Sequence, residues 1–181
     1  MPNVIQPAPT GRAKCRGCGQ AIAAGELRFG ESLPNPFADG EMTHWFHLAC
    51  AAYKRPEPFL QTVEARGEPL DDRERLVAEA RLGLAHRRLP RVSGVERSPS
   101  GRAQCRACRT SIEKNAWRIS LVFYEEGQFS PSGFIHVPCA RAYLEATDAE
   151  MLPRLRHFAR GLVDDDLSEV EAELRRPAAA P

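Results

Sequence analysis

One ligand pattern occurs twice in this chain and takes every cysteine it has. Cys15-x-x-Cys18 is followed by His47-x-x-Cys50, and Cys105-x-x-Cys108 by His136-x-x-Cys139, which together account for all six cysteines. A Cys-x-x-Cys turn offers two thiolates from one knuckle, and a distant His-x-x-Cys pair completes a tetrahedral Cys3His set. Such a set fixes two remote segments against each other, a stronger constraint on the fold than any apolar run in the chain. The pattern predicts two structural zinc ions, with ligands Cys15, Cys18, His47 and Cys50 in one site and Cys105, Cys108, His136 and Cys139 in the other. With four protein ligands each, neither ion keeps an open position for water or substrate, so the zinc is read as structural rather than catalytic.

Other cysteine chemistry fits less well. A disulfide framework is the signature of secreted domains, yet Met1–Thr10 has neither a basic n-region nor an apolar h-region. A redox Cys-x-x-Cys normally opens a helix in a βαβ setting. Here the motifs enclose Arg16-Gly17 and Arg106-Ala107 and are followed by glycine and polar residues. The enclosed arginines favour ionised thiolates, because a nearby cation stabilises the charged sulfur.

The 181 residues suit two small domains, and no apolar run approaches the length of a membrane span. Fifteen prolines and thirteen glycines predict many loops, as expected where metal replaces part of a hydrophobic core. A formal charge of +1 excludes the uniformly basic footprint of many nucleic-acid binders but leaves room for a local patch. The basic residues are almost all arginine, the only lysines being Lys14, Lys54 and Lys114.

The ligand repeat is part of a longer duplication. Gly11-Arg12-Ala13-Lys14-Cys15-Arg16 returns as Gly101-Arg102-Ala103-Gln104-Cys105-Arg106, and Leu27-Arg28-Phe29 as Trp117-Arg118-Ile119. The expected organisation is a flexible N-terminus (1–10), a first finger (11–89), a Pro/Ser/Gly-rich linker (90–100), a second finger (101–174) and a disordered tail (175–181). The expected fold class is α+β: in each finger a short antiparallel sheet with flanking helices around the metal. Strands are predicted around Glu26–Ser32 and Arg118–Tyr124, with a further strand leading into each histidine and a helix starting at or just after it. Pro56 and Pro58 are expected to end the first of those helices. Asp71-Asp72 and Asp164-Asp165-Asp166 precede apolar periodic runs and read as helix N-terminal caps.

These residues resemble the zinc fingers of poly(ADP-ribose) polymerase and DNA ligase III. The resemblance rests on Gly11-Arg12-Ala13-Lys14-Cys15-x-x-Cys18, Ile22, Leu27-Arg28, Phe37-x-Asp39-Gly40 and His44-Trp45-Phe46-His47-x-x-Cys50. It continues into Leu70-Asp71-Asp72 and is weaker in the second repeat, where Phe134-Ile135 precedes the histidine. It implies binding to DNA strand breaks (nicks, gaps or ends) by structure rather than sequence. Arg12, Arg28, Arg102 and Arg118 would contact the phosphate backbone or minor groove, while Phe37 and Met42 in one unit and Phe123 and Phe129 in the other would stack on an exposed base pair. Arg16 and Arg106 would also touch phosphate. A repair or ADP-ribosylating enzyme is the implied partner, with no membrane and no small-molecule substrate.

Duller roles compete at several positions. Trp45 reads first as a core residue packed under the zinc, since large aromatics dominate small cores. His44, His86 and His157 are expected outside both coordination shells. The two repeats leave no room for a catalytic domain, so the chain is read as a non-enzyme. The near-neutral charge keeps a protein-interaction module open as the alternative function. The Ala/Arg bias points to a GC-rich bacterium, hence to the cytoplasm and nucleoid, with the nucleus as the eukaryotic counterpart.

Overall fold

The computed structural model describes residues 2–67, 69–125 and 127–178. The chain forms two compact units, Met1–Arg87 and Arg88–Pro181.

In the first unit an antiparallel sheet in the order β1-β2-β3 is built from β1 (Val4–Pro7), β2 (Leu27–Pro34) and β3 (Glu41–His47). Three helices follow: α1 (Leu48–Lys54), α2 (Pro56–Ala65) and α3 (Arg73–Ala85). Side chains alternate across a strand, and the register sets Phe29 opposite Phe46 on the face that meets the helices. Phe59 of α2 closes on Phe29 edge-on, with ring centroids 5.8 Å apart. These three rings and Ile22 are fully buried and make the core of the unit.

The second unit repeats the plan with β4 (Arg91–Arg97), β5 (Trp117–Glu125) and β6 (Gln128–His136) in the order β4-β5-β6. A 3-10 turn (Val137–Cys139) leads into α4 (Ala140–Tyr143), followed by α5 (Asp148–Phe158) and α6 (Asp164–Leu174). Ile119 faces Ile135 across the sheet, and Trp117, Met151, Leu155 and Leu174 complete the core.

Both strands expected around Arg28 and Arg118, and both strands entering the histidines, are present. Two segments expected as a flexible N-terminus and a linker contribute strands. Val4–Pro7 pairs with Leu27–Gly30 as a strand of the first sheet. Residues 90–100 carry β4, an integral strand of the second sheet. Val92 and Val95 anchor it, 5% and 7% exposed, with α5 packed on the strand; these two apolar positions outweigh the linker-like composition around them. The tail expected at 175–181 reaches past the described residues at 179–181.

Pro56 acts differently from expectation as well. α1 does end at Lys54, but Pro56 then opens α2 at its first position, where a missing N–H costs nothing. The aspartates do not cap with their side chains: Asp72 is left-handed (φ 55) without a cap bond, and the N-cap of α6 is Val163. Asp164, Asp165 and Asp166 sit inside the first turn of α6, where they favour the helix dipole. Among the described residues the one full capping box belongs to α5, between Thr147 and Glu150.

Candidate zinc centres and nucleic-acid interface

Each knuckle is a tight turn closed by the backbone. In the first, Gln20 O accepts from Cys15 N at 2.8 Å and Cys15 O accepts from Gly19 N at 2.8 Å. In the second, Thr110 O accepts from Cys105 N and Cys105 O from Arg109 N, both at 2.9 Å. The turn needs a left-handed residue, which is Gly19 (φ 74) in one and Arg109 (φ 64) in the other. The histidine strand then delivers His47 or His136 to the knuckle, and the following helical turn brings Cys50 or Cys139.

The ligand atoms of Cys15, Cys18, His47 and Cys50 all lie within 4.8 Å of one another, as do those of Cys105, Cys108, His136 and Cys139. His47 Nδ1 is 3.4 Å from Cys18 Sγ and 3.9 Å from Cys50 Sγ; His136 Nδ1 is 3.4 Å from Cys108 Sγ and 4.0 Å from Cys139 Sγ. A tetrahedral zinc with ordinary Zn–S and Zn–N bonds separates sulfur and nitrogen by about 3.6 Å, so both sets fit the ion. Supporting hydrogen bonds are in place too. His47 Nε2 lies 3.2 Å from Ala21 O and His136 Nε2 3.2 Å from Ser111 O, which fixes the tautomer that leaves Nδ1 free for metal. The backbone N–H groups of His47 and His136 donate to Cys15 Sγ and Cys105 Sγ at 3.4 Å. These two sites hold structural zinc. His44, His86 and His157 belong to neither cluster.

The face of each sheet opposite the helices carries the repeated arginine. Arg28 is 6% exposed, and its guanidinium lies 3.5 Å over the Trp45 ring. Trp45 itself is half-buried and lies against Gly30, where a Cβ would come within 2.6 Å of the indole. That contact is why glycine stands opposite the tryptophan. In the second unit Arg118 is 7% exposed and lies 3.6 Å over Phe134. Arg12, Arg16, Arg102 and Arg106 are exposed, Arg106 being steadied by Ser132 O at 2.9 Å and Ser132 Oγ at 3.1 Å.

The hairpin tips diverge. Phe37 is 92% exposed on the β2–β3 turn, where Asn35 Oδ1 accepts from Phe37 N and Gly40 O accepts from Asn35 N, both at 3.0 Å. Met42, on β3, is half-buried. In the second unit Phe123 and Phe129 are half-buried, and Phe129 packs edge-on against Tyr124 with centroids 4.9 Å apart. Glu125 is exposed at that tip, and Glu126 lies outside the described residues.

Sequence reasoning missed two charged features beside the zinc and sheet. Lys54 is 3% exposed and donates from Nζ to Gly17 O at 2.5 Å inside the first knuckle. Burial pushes its pKa down to about 8, while the Cys50, Cys15 and Cys18 thiolates pull the other way. Glu31, 3% exposed, accepts from Arg55 at the joint between α1 and α2. His44, across from Glu31, is held below its ordinary pKa by burial and next by Arg16, with Glu31 pulling the other way. A comparison of the repeats would have flagged Lys54, because the second repeat has Tyr143-Leu144 in that stretch and no lysine.

Comparison with known proteins agrees with this geometry. The family model described as the poly(ADP-ribose) polymerase and DNA-ligase zinc-finger region matches residues 6–84. The first unit belongs to this zinc-finger family. Similarity continues into the second unit, which repeats the ligand set and the sheet order. Poly [ADP-ribose] polymerase 1 of Gallus gallus is 30% identical over 170 residues, covering 80% of this chain and 17% of its own length. The Drosophila melanogaster polymerase is 25% identical over 197 residues, covering 94% of this chain and 19% of its own. That of Sarcophaga peregrina is 27% identical over 142 residues, covering 69% and 14%. The chain therefore spans less than a fifth of these relatives. All three come from animals, which lends no support to the bacterial source read from the Ala/Arg bias. No helix among the described residues is long and apolar enough to cross a membrane.

Proposed function

We propose that the chain is a zinc-stabilised DNA-binding protein that recognises strand breaks (nicks, gaps or ends) by their structure. The observation that carries this reading is Phe37, a large aromatic side chain left 92% exposed on a turn whose backbone is fixed by Asn35. Such a residue contributes nothing to the core. In an intact duplex every base pair is covered by its neighbours, and only a break or kink bares a π-face. An aromatic ring laid on that face gains about 1–3 kcal/mol. Arg28, desolvated against Trp45, and the exposed Arg12 and Arg16 supply phosphate contacts that position the domain without reading sequence. Arg102, Arg106 and Arg118 are their counterparts in the second unit, and Met42, Phe123 and Phe129 are secondary apolar contacts. The near-neutral charge of the chain leaves little general affinity for duplex, which suits a reader of local structure. A bound break would then recruit a repair or ADP-ribosylating enzyme, since binding alone joins nothing.

The test is a hairpin duplex closed by loops at both ends, intact or carrying one nick, titrated with the zinc-loaded chain at several salt concentrations. Tighter binding to the nicked form is expected, and Phe37→Ala should lose roughly tenfold in that affinity, about 1.4 kcal/mol, with zinc content unchanged. Equal binding of nicked and intact DNA would reduce the function to phosphate affinity. Absence of binding at low salt would favour a protein-interaction role.

A further inference from the structure

The two buried arginines occupy equivalent strand positions but have different partners. Across the sheet, Arg28 stands opposite Gln6 and Arg118 opposite Glu96. One oxygen of Glu96 accepts from both Nε (2.9 Å) and Nη2 (2.5 Å) of Arg118. Gln6 offers no charge, and Arg28 Nε is buried without a hydrogen-bond partner. Among the described residues Arg28 makes no ion pair, and its guanidinium lies against the face of the Trp45 ring. A guanidinium this desolvated binds an anion more strongly than one in water, provided that no carboxylate already holds it.

We propose that Glu96 is an internal stand-in for phosphate that keeps Arg118 occupied, whereas Gln6 leaves Arg28 open, so that this strand position decides which unit takes a phosphate diester. The inference rests on the reading of these arginines as backbone contacts. Glu96 is half-exposed, so its bridge stands at the edge of water, where salt and competing anions weaken it. The second unit is therefore restrained rather than disabled. Gln6 and Glu96 are both exposed, so exchanging their charges leaves the two cores intact.

The experiment follows the Nε–Hε signals of Arg28 and Arg118 by NMR in the full zinc-loaded chain as inorganic phosphate is added. The Arg28 signal should shift and that of Arg118 stay; Glu96→Gln should make Arg118 respond, and Gln6→Glu should silence Arg28. With the nicked hairpin, Glu96→Gln should tighten binding about fivefold and steepen the salt dependence by about one phosphate contact, and Gln6→Glu should do the reverse. Equal responses of the two arginines in the unaltered chain, no response from either, or signals indifferent to both substitutions would overturn the proposal. If the phosphate responses follow expectation but the nicked duplex is not bound, the anion assignment stands and the DNA reading falls. If the duplex is bound and both exchanges leave affinity unchanged, the DNA reading stands and the proposal falls.

Discussion

The two units share their metal chemistry and differ in nearly everything that surrounds it. Both knuckles close through the same backbone bonds, both histidines turn Nε2 to a carbonyl, and both sheets set an arginine beside the histidine. Around that constant frame, Lys54 reaches under the first knuckle while the second repeat has no lysine in that stretch, Gln6 stands against Glu96 on the edge strand, and the bare Phe37 against the Tyr124–Phe129 pair at the hairpin tip. The difference teaches which positions the metal dictates. Four ligands and the carbonyls that orient them leave little tolerance, because coordination distance and tautomer are both fixed. Side chains a few ångströms away have no such requirement, and there the repeats have separated.

Metal loss should have the largest effect and should be confined to one unit at a time. Cys18→Ser is expected to reduce bound zinc from two ions to one and to unfold the first unit while the second keeps its dispersed amide spectrum; Cys108→Ser should do the converse. Structural zinc contributes on the order of 10 kcal/mol to such folds. Metal analysis with NMR decides it, and simultaneous collapse of both units after either change would mean that they fold as one.

Lys54 sharpens the contrast by pH. Its folded pKa lies near 8, below the ordinary 10.5 of a lysine. Between those values the unfolded chain holds a proton that the folded unit has released, so the first unit should gain stability as pH rises through about 8 to 10.5, by up to about 3 kcal/mol. Below pH 8 the buried charge is fully costly; above 10.5 the cost is gone. Thermal melts of the Lys54→Leu variant should lack this rise, and the second unit, whose one lysine, Lys114, is exposed, should not show it. A variant that keeps the slope would place its origin elsewhere.

Helix starts offer the smallest effect. Thr147→Ala breaks the capping box of α5 and should cost the second unit about 1 kcal/mol. Asp72→Asn, at a helix start with no side-chain cap bond, removes only an exposed pairing with Arg75 and should cost less than about 0.5 kcal/mol. Denaturant titrations would tell the two apart. Equal losses would mean that the carboxylate of Asp72 supports α3 in some other way.

What the sequence determined by itself was the metal and the frame it imposes. Ligand identity and spacing are chemical facts that need no tertiary context, and the recurrence of Arg28 as Arg118 located the same strand twice. Composition misled wherever a few apolar residues in a polar segment did the anchoring. Val92 and Val95 turn a linker-like stretch into β4, Pro56 opens α2 as well as following the end of α1, and Thr147 with Glu150 spells the capping box that starts α5. The surroundings of each contact residue could be decided only in three dimensions. Arg28 and Arg118 read alike as letters, yet one faces a neutral amide and the other a carboxylate brought to it by strand register. Phe37 and Phe129 both stand near a hairpin tip, yet Phe129 lies in β6 with Tyr124 to lean on and Phe37 on an open turn. Ligand chemistry is carried by residue type, which the chain spells out, whereas exposure and pairing depend on what folding places within a few ångströms.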